Sequence, residues 1–130
     1  MGNAERIRAA FEALNGGDPS VFLDMYDPDV ELFVPATAEL DAGVFRGARE
    51  VERWFGHGFA QWDDLQWEVV ELTEWGPHVA MLIHSTRRGK RSQVPLEDTF
   101  LSVYSFRNGR IVSMAHLGRA EGAQPAGPAA

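Results

Sequence analysis

The chain has 130 residues, 45% of them apolar, enough for one continuous core with little left over for a second domain. Its 12 basic residues against 19 acidic ones give a net charge of −7, which argues against a nucleic-acid surface and against docking on anionic lipid. The absence of cysteine excludes a disulfide framework, a thiol nucleophile and a thiolate zinc site, and no apolar stretch approaches the ~20 residues of a membrane-spanning helix.

The N-terminal residues Met1 to Arg6 contain no apolar leader core, so a cytoplasmic protein without membrane association is expected. Ile7, Ala10, Phe11 and Leu14 recur at helical spacing and predict a first helix, capped by Asn3 and ended by Gly16-Gly17. Asp18-Pro19-Ser20 predicts the start of a second, with Val21, Phe22 and Met25 on its buried face. Asp27-Pro28-Asp29 reads as a break before a short strand, Val30 to Val34. Pro35 to Gly47 reads as a long irregular segment of the kind that is often functional or mobile. A third helix follows, with Val51, Trp54, Phe55, Phe59 and Trp62 on one face; Gly56 and Gly58 inside it predict fraying or a close approach.

The remainder is strand-like. Leu65 to Trp75 ends in the turn Gly76-Pro77, Val79 to Thr86 is a second strand, and Arg87 to Arg91 reads as a solvated polar connection. Val94 to Phe106 is a long third strand, and Asn108-Gly109 predicts a tight hairpin into Arg110 to Leu117. Residues 1–118 are read as one domain and residues 119–130, rich in Ala, Gly and Pro, as a disordered tail. Helices segregated from antiparallel strands predict an α+β fold, with a long twisted sheet curling around the helices to leave a concave face.

Alternation along the long strand groups Leu96, Asp98, Phe100, Ser102, Tyr104 and Phe106 on one face; on the last strand it groups Val112, Met114 and His116. No two histidines stand at metal-ligand spacing, and no nucleophile elbow, phosphate loop or dinucleotide fingerprint is present, so neither a metal nor a cofactor is expected. His84, in the apolar run after Met81-Leu82-Ile83, reads as a satisfied core histidine or a pocket residue.

The chain resembles the SnoaL-like, ketosteroid-isomerase-like branch of the nuclear transport factor 2-like superfamily. The resemblance runs from about residue 4 to 122. It rests on Phe11-Glu12-Ala13-Leu14-Asn15-Gly16-Gly17-Asp18, Tyr26-Asp27-Pro28-Asp29-Val30-Glu31, Leu40 to Glu50, Trp62-Asp63-Asp64-Leu65, Phe106 to Val112 and Arg119-Ala120-Glu121, in this order. It implies a cone-shaped α+β barrel: three N-terminal helices packed on a strongly curved, mostly antiparallel sheet that encloses a pocket. It further implies a homodimer through the outer sheet face, where Leu101 and Val103 would lie.

If the family's register carries over, the concave face presents Asp98, Phe100, Ser102 and Tyr104 beside Met114 and His116. The family's polyketide cyclases place their catalytic acid at the position matching His116, and its steroid isomerases place an acidic donor at Ser102. His116 and Asp98 are therefore the candidate catalytic pair, Asp98 orienting the imidazole and raising its pKa. Ser102, Tyr104, Phe100, Met114, His84 and Trp54 are candidate substrate contacts. The plainer alternatives are a half-buried His116 satisfied by one hydrogen bond, and Asp98 paired with Arg46 or Arg53. Steroid isomerisation is disfavoured, since Val34, Phe11 and Ser102 replace the usual base and donors. Epoxide hydrolysis is disfavoured as well, since Ile83 to Thr86 and His116 lack its Arg-x-Asp couple and last-strand aspartate. The expected function is binding of a small apolar metabolite, with isomerase, cyclase or hydrolase chemistry by acid–base residues. The alternative is a non-catalytic binding or dimeric accessory domain.

Overall fold

Helix α1 (Asn3–Asn15) buries Ile7, Ala10 and Phe11 and is capped by Gly2, whose N–H donates to the Glu5 carboxylate at 3.4 Å; Asn3 is its first residue rather than its cap. The computed structural model describes residues 2–34 and 43–119. Helix α2 is a single turn (Ser20–Leu23), introduced by Asp18, whose carboxylate accepts from the Ser20 N–H at 3.0 Å and the Ser20 hydroxyl at 2.6 Å. Those two bonds hold the Asp18 carboxyl below its usual range.

Strand β1 (Tyr26–Val34) runs through the Asp-Pro-Asp segment expected to break it. It pairs with the last strand at Tyr26 opposite Ile111 and again at Glu31 opposite Ser113, and the register shift between them absorbs Pro28, which has no N–H to offer a ladder. Strand β2 (Gly43–Arg46) occupies the end of the stretch read as irregular and pairs antiparallel with β1; residues 35–42 lie outside the described residues. Helix α3 (Ala48–Phe59) is continuous, and a side chain at Gly56 would meet open space, so no close approach explains that glycine.

Strands β3 (Trp62–Trp75), β4 (His78–Gly89), β5 (Pro95–Arg107) and β6 (Arg110–Arg119) form an antiparallel meander. Trp62, expected on the third helix, opens β3. The β5–β6 hairpin turns on Asn108 and Gly109, both at positive φ (53° and 75°), as the Asn-Gly pair predicts. The sheet has six strands in the order β2-β1-β6-β5-β4-β3, with β1 parallel to β6 and every other pair antiparallel. It is an α+β cone whose sheet does not close: among the described residues β2 and β3 are its edges. Arg119 completes β6, and residues 120–130, most of the segment read as a tail, lie outside the described residues.

The hollow side holds the core. Phe11 stacks on Phe22 at 5.3 Å between ring centroids and meets Trp67 at 5.8 Å and Tyr104 at 6.5 Å. Phe55 and Phe59 reach the same Trp67 from α3. Val51 and Phe55 are buried while Trp54 and Phe59 pack against the core, so four of the five positions read on the apolar face of the third helix point inward as expected.

Candidate active site on the concave face

Alternation on β5 sends Phe100, Ser102, Tyr104 and Phe106 into the hollow, all buried, with Asp98 half-buried at the open end of the same row. β6 adds Met114 and His116, paired with Tyr104 and Ser102 respectively. The concave set implied by the family register is therefore brought together. Val112, grouped with Met114 and His116 by alternation, falls at the register shift between Ser105 and Phe106 and is half-buried, with Ile111 buried in its place. Trp54, on α3, closes over it. His84 does not join it. Its parity on β4 puts it on the outer face, 35% exposed, with Nε2 3.3 Å from the Glu97 carboxylate and Nδ1 3.9 Å from that of Glu68.

His116 is 6% exposed, its ring 4.3 Å from Phe100 and 5.7 Å from Trp54. Burial among rings removes water from the imidazolium and pulls the pKa down to about 4, against a smaller opposing pull from Asp98. Asp98 does pull the His116 pKa upward as expected, but burial outweighs it and the net shift is downward. The ring is a neutral imidazole at pH 7, and no step can start from a resting imidazolium there.

Asp98 has another partner. Its two carboxylate oxygens accept from the Arg87 guanidinium at 3.1 and 3.2 Å, a bidentate pair with side chains 14% (Arg87) and 25% (Asp98) exposed. Neither Arg46, which pairs with Glu31 at 2.9 Å, nor Arg53 takes that place. Arg87 also donates to Ser85 Oγ at 3.2 Å and lies 4.7 Å over the Trp62 ring; Ser85 Oγ in turn accepts from the Trp67 indole N–H at 3.1 Å. Arg87 and Arg88 thus belong to β4 and not to a solvated hairpin tip; Arg88 pairs with Asp64, and Lys90 with Asp63 at 3.6 Å. The alternation Val79, Met81, Ile83, Ser85, continued by two residues, would have found Arg87 on the inner face.

Deeper in the hollow, burial pushes the pKa of the Tyr104 and Tyr26 phenols upward, further into the protonated form. The Tyr26 hydroxyl is buried and has no hydrogen-bond partner among the described residues. A cleft of about 210 Å³ lies elsewhere, between the end of α1, the start of α2, α3 and β3, lined by Leu14, Asn15, Gly17, Pro19, Phe59, Leu65 and Trp67. His116 is not in its lining: Trp67 and Phe100, 5.5 Å apart, stand between the two. Among the described residues no three His, Asp or Glu side chains converge as metal ligands, and no helix is long and apolar enough to cross a membrane.

Residues 7–114 match the SnoaL-like domain family, most of the chain. The chain belongs to that family. No curated protein sequence matches it. Among solved structures, this SnoaL-like domain is similar to an NTF2-like protein of unknown function from Burkholderia pseudomallei, at 23% identity and TM-score 0.77, over 89% of this chain and 90% of that one. It is similar to IdmH, a candidate polyketide cyclase from Streptomyces antibioticus, at 23% identity and TM-score 0.77, over 90% and 91% of the two chains. A candidate SnoaL-like polyketide cyclase from Jannaschia sp. CCS1 superposes at TM-score 0.76 with 14% identity, over 88% and 83%. At these identities the likeness establishes the fold; the chemistry of this SnoaL-like domain has to be argued from its own side chains.

Proposed function

We propose that this SnoaL-like domain binds a small apolar, carbonyl-bearing metabolite against its concave face and transfers a proton on it without a cofactor, in the manner of a cyclase or isomerase. The observation that carries this reading is His116: a buried, neutral imidazole facing the hollow, with a proton affinity close to that of a carboxylate. Such a group can take a proton from carbon next to a carbonyl when the resulting enolate is stabilised nearby. The developing negative charge itself raises the affinity of the imidazole for the proton it receives. Tyr104 and Tyr26, protonated at neutral pH, supply buried hydroxyls in the same hollow, and Ser102 sits opposite His116. The two candidate polyketide cyclases among the structural neighbours support this class of reaction.

Asp98, tied to Arg87, holds the rim of the hollow in this reading rather than the imidazole. A second reading, ligand holding without turnover, is favoured by one observation: the cleft of about 210 Å³ is lined by other residues than His116.

Proton–deuterium exchange next to the carbonyl separates the two readings without knowledge of the natural substrate. A panel of aryl ketones and 1,3-diketones is incubated with the protein in deuterated buffer and followed by NMR. Exchange above the buffer rate, falling by about 10²-fold or more in His116→Ala, is the expected result. Equal exchange in the variant removes the proton-transfer role; saturable binding with no exchange leaves the holding role.

A further inference from the structure

The cleft beside Trp67 carries an inference that does not depend on proton transfer at His116. We propose that it is a separate binding site for a neutral aromatic group of one or two rings. Among the described residues its lining contains no charged side chain, in a chain with 12 basic and 19 acidic residues. The polar side chain in it, Asn15, is engaged from both ends of its amide: the NH2 donates to the Trp67 carbonyl at 2.7 Å, and the amide oxygen accepts the Trp67 N–H at 2.8 Å. A charged or strongly polar ligand would lose its hydration there and find little in return.

Shape points the same way. Phe59 and Trp67 meet nearly edge to face, 5.5 Å apart at 72°, forming a corner in which an inserted ring can stack on one wall and present its edge to the other. Leu14, Pro19 and Leu65 supply the aliphatic sides, and at Gly17 the wall has no side chain, with open space where one would begin. An apolar cavity of about 150 Å³ admits benzene, so about 210 Å³ takes one ring or two fused ones, and is too small for a drug-sized molecule. The walls are also preformed. Asn15 locks the backbone of Trp67 to the end of α1, and Ser85 holds its indole, so little ordering is left for a ligand to impose.

The test titrates toluene and indole, with benzoate as the charged counterpart, into the isotopically labelled full chain. Saturable shifts of the Leu14, Phe59, Leu65 and Trp67 side-chain resonances, at least tenfold weaker for benzoate, are expected. Leu65→Trp, which fills the cleft, should weaken toluene binding tenfold or more. If that variant does not fold, the map on the unaltered chain decides alone. Shifts absent from these residues, centred on His116, or equal for benzoate overturn the proposal, as does closure of the cleft by self-association at the concentration used. Deuterium exchange on ketones is read separately, so failure of the proton-transfer reading leaves this result standing.

Discussion

His116 exchanges hydration for packing among rings, and that exchange has a pH signature. In the unfolded chain the imidazole titrates near 6.5, and in the fold near 4. Between those values the unfolded chain binds more protons, so the contribution of His116 is fully present above about pH 6.5 and declines as pH falls toward 4. The loss amounts to about 3 kcal/mol at its limit. Urea denaturation at pH 7.5 and pH 4.5 measures it: the difference should shrink by about that amount in His116→Phe, which keeps a ring in the same space. An unchanged difference would mean the imidazole is hydrated in the fold. Direct titration of the ring by NMR should give a midpoint well below 6.5. The Asp98–Arg87 pair gives a second residue-scale prediction. Asp98→Ala leaves a largely buried guanidinium without its counter-charge and should destabilise by about 1–3 kcal/mol, while moving the His116 midpoint further down, because the one opposing pull is gone. A midpoint that rises would place the carboxylate's influence elsewhere. Alternation groups Phe100, Ser102 and Tyr104, and Met114 with His116, because burial on one sheet face imposes period two; that these sets face the hollow was legible only through the family resemblance. The partner of Asp98 was not: Arg87 opens a run of basic residues that looks solvated, and only a carboxylate 11 positions away in the chain offsets the cost of burying it.

Elements whose pattern is carried by their own sequence formed where the pattern put them. α1 and the β5–β6 hairpin are of this kind, one from helical spacing and the other from two residues that tolerate positive φ. β1 and β2 are not, since both depend on partners. Tyr26 to Asp29 becomes strand because β6 lies beside it in parallel and accepts a shifted register; Gly43 to Arg46 becomes strand because Glu31 to Val34 offers an edge. No local signal announces a parallel partner about 80 residues away. The packing of α1 is testable at this scale. Phe11 is 2% exposed and joins α1 to α2, β3 and β5 through the rings of Phe22, Trp67 and Tyr104. Phe11→Ala should cost about 3–5 kcal/mol, because three rings lose a packing partner and a cavity opens between them, read as a lower urea midpoint at unchanged slope. A cost below ~1 kcal/mol would mean that neighbouring rings collapse into the vacancy.

The sheet packs one face against helices, and among the described residues no layer covers the other. On that outer face Leu82, Leu101, Val103, Ala115 and Leu117 are only half-buried, with Phe33 46% exposed at the side of the same surface. Pairing sets these residues close together, Val103 opposite both Ala80 and Ala115, and Leu101 opposite Leu82. A contiguous apolar area on a sheet is costly in water and is relieved by a second copy related by two-fold symmetry, since the patch is then its own complement. The charged cluster of His84, Glu68 and Glu97 sits toward one end of this face and would lie at the rim of such a contact. We therefore expect a homodimer at micromolar concentration through the outer face. Sedimentation should give twice the 14.4 kDa chain mass, and Val103→Glu, which puts a carboxylate in the middle of each half of the patch, should return the monomer with its fold intact by circular dichroism. A native chain that sediments as a monomer at these concentrations excludes the dimer, and a Val103→Glu variant that stays dimeric moves the contact to another surface.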